Sequence, residues 1–353
     1  MARLLLAFFI CAVSATTAAA ADLLLAINKG DNTLAIIDAA TGKVLGTAPT
    51  GPDPHEVVAS ADGKLAYITN YNAGNGFANS LSVVDLVAMK ALPPIDLGAL
   101  GRPHGIALAD GKVYFTAEGA KVVGRYDPAT RQVDLVVGTG QDRTHMVIVS
   151  SDQKTLFTTN VSSGTVSILE QFTVTRRGGP PPAPPLGAVA RGAVGRGAAP
   201  PAATDWRLTV VPVGMGAEGF DLSPDGRELW VANAQGGSVS IVNVAKKVAE
   251  TLNVRFRSAN RLKFTPDGKY ALISDLGGTE VIVMDAATRQ EIKRIDVGGG
   301  AAGIQMSPDG SRAFAAVGSQ NGVAIIDLKT LSMTGRIATG PGPDGLAWVT
   351  TSK

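Results

Sequence analysis

Only three histidines occur in this chain, and they stand in look-alike stretches. His55 lies in DPHEVVAS (53–60), His104 in RPHGIALA (102–109) and His145 in RTHMVIVS (143–150). Each opens an apolar run rich in β-branched residues. Imidazole nitrogens ligate divalent transition metals at about 2.1 Å. They also serve as general bases. Arg102 and Arg143 precede His104 and His145 by two residues and add guanidinium donors suited to an anion. Two chemistries are therefore open. His55, His104 and His145 hold a divalent metal, or a histidine moves protons on an anionic substrate. A third reading is structural: a repeat fills one position with His three times.

The elements that carry these residues decide what the spacing means. Pro-Asp-Gly recurs at 224–226, 266–268 and 308–310, each 42 residues from the next. A period near forty with strand-like segments is the mark of a propeller blade. Residues 302–331 show one unit. AGIQMS is a short apolar strand and SPDG a tight turn, with Pro presetting φ and Gly accepting a positive one. RAFAAVG and VAIIDL are two further strands, and SMTGRIATG is the fourth. Innermost strands read EVVAS (56–60), GIALA (105–109), MVIVS (146–150), GFDLS (219–223), RLKFT (261–265), GIQMS (303–307) and GLAWV (345–349). The expected fold is all-β, a seven-bladed propeller of four-stranded antiparallel blades. The chain starts on a second strand, LLLAIN, and ends on an innermost one, GLAWV. The C-terminal strand should therefore complete the N-terminal blade and leave no open edge.

In this frame the histidines share one position. The residue opening each innermost strand is His55, His104, His145, Glu218, Asn260, Ala302 or Asp344, with Arg102, Arg143 and Arg261 beside it. These positions should ring the mouth of the axial channel and contact a ligand there. The second strands end on Asn28, Asn70, Glu118, Asn160, Asn233, Asp275 and Gly318, where Asn and Asp are expected to cap turns. YNAGNGFANS (71–80) is the longest loop on this face and should form a lip. The acids Asp38, Asp85, Asp127, Asp285 and Asp327 should form turns on the opposite face. No nucleophile elbow, HExxH, phosphate-binding loop or haem-attachment motif is present.

YITN (67–70), FTTN (157–160) and WVAN (230–233), with SPDG or TPDG before the second strand, resemble the YVTN-type β-propeller repeat. The resemblance spans nearly all of residues 22–353. It implies a seven-bladed propeller akin to YncE-like proteins, lactonase-type propellers and haem-d nitrite reductase propellers. One such scaffold hosts many activities, so the resemblance leaves function open.

Composition narrows the setting. Residues 1–21 carry Arg3, an apolar run from Leu4 to Val13 and small residues at 18–21, the layout of a cleaved signal peptide. The run is too short for a membrane span. A periplasmic or secreted protein is expected, with one domain over 22–353. Cys11 is the single cysteine, so the mature chain would hold no disulfide or thiolate ligand. A formal charge of +2 gives no reason to expect nucleic acid. Residues 175–205 are rich in Pro and Gly, too poor in large apolar groups to order, and should form a disordered insert in blade four. The expected function is an exported, monomeric binding or scaffolding protein that takes a protein partner or small molecule at the axial mouth. Two alternatives remain: a lactonase- or lyase-type enzyme using axial His with or without a divalent metal, and an accessory subunit of a periplasmic redox system.

Overall fold

Apolar segments of six or so residues, bounded by turns, form strands buried on both faces when sheets stack against each other. The computed structural model describes residues 22–74, 76–174, 203–252 and 254–350, and they build seven four-stranded antiparallel sheets. The only helix among them is a 3-10 turn at Gly318–Gln320. The expected signal peptide lies outside the described residues. No described helix is long and apolar enough to cross a membrane.

The innermost strands are Pro343–Val349 in blade one and Pro54–Ala59, Pro103–Ala109 and Thr144–Val149 in blades two to four. Ala217–Leu222, Ala259–Phe264 and Ala301–Met306 follow in blades five to seven. Blade one closes the ring as the sequence predicts: Leu23, Leu24 and Leu25 pair with Val349, Trp348 and Ala347. Second strands such as Leu23–Asn28 and Glu228–Asn233 are buried almost throughout. Outermost strands such as Gln132–Gly138 alternate between exposed and half-buried residues. The core therefore lies between blades. Leu25, Ile27 and Leu34 of blade one, for example, pack on Val57, Ile68 and Val84 of blade two.

The turns behave as their residues dictate. In SPDG the Ser223 hydroxyl donates to Asp225 at 2.6 Å, and Gly226 takes a φ of 72°. Asp85, Asp285 and Asp327 accept backbone N–H groups of the turns that follow them. Blade four departs from the expected boundaries. Its third and fourth strands are long, Thr165–Val174 and Ala203–Pro212, and they pair along their full length. Residues 203–205 thus belong to a strand and not to the insert, because they continue the ladder opposite Phe172, Thr173 and Val174. Residues 175–202 lie outside the described residues.

Candidate functional site at the axial mouth

Each innermost strand begins two residues earlier than its apolar run. The ladder between inner and second strands shifts over this opening in all seven blades, so two inner-strand residues oppose one partner. A bulge of this kind re-aims side chains. His55 with Glu56, and His104 with Gly105, are two such pairs. Opposite them stand Thr69 and Thr116, the third residue of YITN and its counterpart in the next blade. The Thr69 hydroxyl accepts from Glu56 N at 3.1 Å and donates to the His104 carbonyl at 2.7 Å. Thr116 links Gly105 N to the His145 carbonyl, at 2.8 and 2.6 Å, and Thr159 and Ser274 repeat the stitch one and three blades on. In blades two, three, four and six a Thr or Ser hydroxyl thus pins the bulge to the next blade; blades one, five and seven carry Ile27, Ala232 and Ala316 there and lack the stitch.

The ring positions come together as the alignment predicts. His104 and His145 stack with centroids 3.6 Å apart and planes 28° from parallel, and His55 lies 4.5 Å from His104. Tyr71 packs at 4.5 Å on His55 and edge-on at 5.3 Å to His104. Four rings form one wall across blades two to four. On the other side, Gly300, Ala302, Gly318 and Gly342 line the same cavity of about 480 Å³. Arg102 stands outside this cup, over the rings of Tyr71 and Phe77 at 4.5 and 4.8 Å. The segment 71–80 is not a loop. The strands Leu65–Ala73 and Gly76–Asp85 run on into it as a long hairpin, and this carries Tyr71 inward.

The floor of the cup is polar. Arg261 of blade six reaches across the axis to Glu56 of blade two, with Nη2 at 2.5 Å and Nε at 3.1 Å from Oε1. Its Nη1 lies 3.5 Å from Glu218 and 3.4 Å from the Asn260 side-chain oxygen. Arg261 lines both the cup and a second cavity of about 360 Å³ below it, so this side chain divides the channel.

Charge is arranged unevenly among the rings. The Glu118 carboxylate accepts from Tyr71 OH at 2.5 Å and lies 2.6 Å from His145 Nδ1. His145 Nε2 is 2.7 Å from Glu218 Oε2, an ion pair out of line with the ring N–H. Burial opposes a charge on His145, but Glu218 and Glu118 outweigh it and raise its pKa above the ordinary 6.5. Burial likewise works against the Glu218 carboxylate, yet His145 and Arg261 hold its pKa down to about 2. His104 goes the other way. Burial first, then the charge of His145, push its pKa well below 6.5, so it is the neutral imidazole of the stack. It is 2% exposed, and its Nδ1 has no partner among the described residues. Lys29 Nζ sits 2.9 Å from His55 Nε2 and within 3.6 Å of Asp53 and Asp344.

The three imidazoles turn faces, not nitrogens, toward one another. Among the described residues no three His, Asp or Glu side chains converge as a metal ion requires.

No protein-family model matches the chain, and no curated protein sequence matches it. Solved structures do. A protein of unknown function from Desulfotomaculum acetoxidans superposes with a TM-score of 0.70 at 11% identity, covering 94% of this chain and 99% of that one. A candidate 6-phosphogluconolactonase from Bacteroides fragilis gives 0.69 at 16%, covering 96% and 99%. Hydrazine synthase of Kuenenia stuttgartiensis gives 0.65 at 19%, covering 85% and 90%. The likeness is one of fold.

Residue positions named from the sequence account for most of the ring. Tyr71, Lys29, Asp53 and Glu56 join the site without being singled out by the repeat alignment, and Glu118 stands at a second-strand end where Asn and Asp cap turns. Asn70, Asn160 and Asn233 do lock their turns through Ser or Thr hydroxyls. Glu118 is the long acid in a series of Asn, Asp and Gly, and that departure was the available signal.

Proposed function

We propose that the cup at the axial mouth binds a small, flat organic molecule, and that the protein is an exported binding propeller. The two walls of the cup support this reading. A cluster of four rings, Tyr71 and His55 tilted and His104 stacked on His145, lines a cavity of about 480 Å³ that Gly300, Ala302, Gly318 and Gly342 also line, within the usual range of small-molecule pockets. Aromatic and imidazole faces attract flat π systems, and the opposite wall leaves room for one. The test is calorimetry with a panel of single-ring compounds, on the native protein and on Ala302→Phe, which fills the glycine wall. Ligands should lose about tenfold or more in affinity in the variant. Affinities unchanged by Ala302→Phe would reject the cup. Cell fractionation tests the export reading, which rests on residues 1–21.

A second reading is hydrolysis of a lactone, the alternative that one structural neighbour's name also suggests. The Glu118–His145 contact favours it, since a carboxylate-oriented imidazole is the usual form of a general base. Both nitrogens of His145 already face carboxylates, however, so neutral His104 would have to act. Lactone turnover lost in His104→Gln supports this reading; no turnover in the native protein removes it. A bound divalent ion would require His104 to leave its stack, and metal analysis of the purified protein tests that.

A further inference from the structure

Five blades place a positive φ just before the innermost strand. Gly342 and Gly216 hold it in blades one and five, at 65° and 75°. Asp53, Arg102 and Arg143 hold it in blades two, three and four, at 50°, 62° and 54°. Glycine adopts this conformation freely, whereas a Cβ disfavours it and long side chains rarely occupy it. Two arginines therefore keep a strained backbone where sister blades use glycine. Long side chains at turns away from the mouth, such as Arg131 and Leu331, hold the same φ, so it is the charge of the two arginines, not strain alone, that marks them.

The same two arginines are the cations that the site leaves least compensated. Arg261 faces Glu56 and Glu218, and Lys29 faces Asp53 and Asp344. Arg102 has no carboxylate within ion-pair distance among the described residues. Its guanidinium plane is held between Tyr71 and Phe77 instead. Arg143 Nε lies 3.6 Å from Glu118, a carboxylate already bonded to His145 and Tyr71, and the guanidinium also interacts with Tyr71 and, more weakly, with Glu218. Both arginines border Tyr71, at the end of the imidazole wall. A stacked, planar guanidinium with unused N–H groups suits a carboxylate or phosphate, because its fork matches two oxygens at once.

We infer that Arg102 and Arg143 form an oxyanion clamp that grips the carboxylate or phosphate of a flat ligand whose ring lies in the cup. This rests on the proposed reading of the cup. The clamp would set specificity: an acid is held, and its neutral analogue is not.

Three probes test it by calorimetry: benzoate, phenyl phosphate and benzamide, the last a neutral analogue of the first. The variants are Arg102→Gly and Arg143→Gly, which install the residue blades one and five already use, so the fold should be kept or stabilised. Arg102→Lys keeps the charge but loses the planar fork. The native protein should bind one or both anions about tenfold more tightly than benzamide. That preference should vanish in each Gly variant and shrink in Arg102→Lys, with benzamide affinity and thermal midpoint not reduced. The tighter of the two anions names the oxyanion. The clamp is overturned if the native protein binds benzamide as well as either anion, or if the preference survives in both Gly variants. In either case benzamide binding that remains sensitive to Ala302→Phe leaves the cup standing. Failure of all three probes to bind rejects the cup and the clamp together.

Discussion

His104 and His145 stack 3.6 Å apart, yet their environments drive their charges in opposite directions. His145 lies between the carboxylates of Glu118 and Glu218, and its pKa is raised. His104 is buried without a carboxylate in reach, and its pKa is lowered. One ring favours its cationic form; the other is a neutral imidazole at the edge of the cup.

Stability should therefore peak near the ordinary histidine value of 6.5. A raised pKa on His145 adds stability that is full below 6.5 and is lost as the pH climbs through the folded value. A lowered pKa on His104 adds stability above 6.5 that is lost as the pH falls below it. Glu118 is held below its ordinary 4.5 and Glu218 down to about 2, and both deepen the acid-side loss. Thermal midpoints recorded from about pH 4 to 9 should show this dome. His104→Gln should flatten its acid limb and His145→Gln its alkaline limb. A profile that both variants leave unchanged would refute the charge assignment.

Arg261 and Glu56 make a buried pair 205 residues apart in sequence. Removing one partner strands the other's charge, so Arg261→Met should cost about 3 kcal/mol. Adding Glu56→Gln should restore a large part of that loss. Urea denaturation of the two single variants and the double variant measures the coupling. Additive losses would mean that the pair does not bridge the axis.

Thr69 has its hydroxyl fully buried between the Glu56 N–H and the His104 carbonyl. Thr69→Val keeps the shape and deletes both bonds, and should lower stability by about 1–2 kcal/mol. It should also loosen His104, read as a change in the chemical shift of its imidazole. A shift confined to blade two would contradict the stitch between blades.

The fold was legible because the period repeats the same local chemistry seven times, down to the phase that predicts Leu23–Asn28 pairing with Pro343–Val349. The ring of His55, His104, His145, Glu218 and Asp344 was legible for the same reason. What the period hid is what breaks it. The bulge that turns His55 into the mouth has no sequence marker apart from the Thr two residues after Tyr67. Tyr71 and Lys29 enter from second-strand ends, and the Arg261–Glu56 bar crosses the axis. Neither relation follows from a repeat that specifies neighbours only. The same closure predicts that deleting residues 343–353 removes the partner of Leu23–Asn28 and exposes that strand's edge. The truncated protein should lose its single cooperative unfolding transition in calorimetry. An unchanged melting profile would speak against ring closure as the source of stability.

The most direct test of the cup is imidazole NMR, because the chain has only three histidines to resolve. A ring compound found by calorimetry is titrated into the labelled protein. The His55 and His104 signals should shift along a saturating curve with the calorimetric affinity, and this response should be lost in Ala302→Phe. Binding that saturates while all three imidazole signals stay in place would contradict the cup.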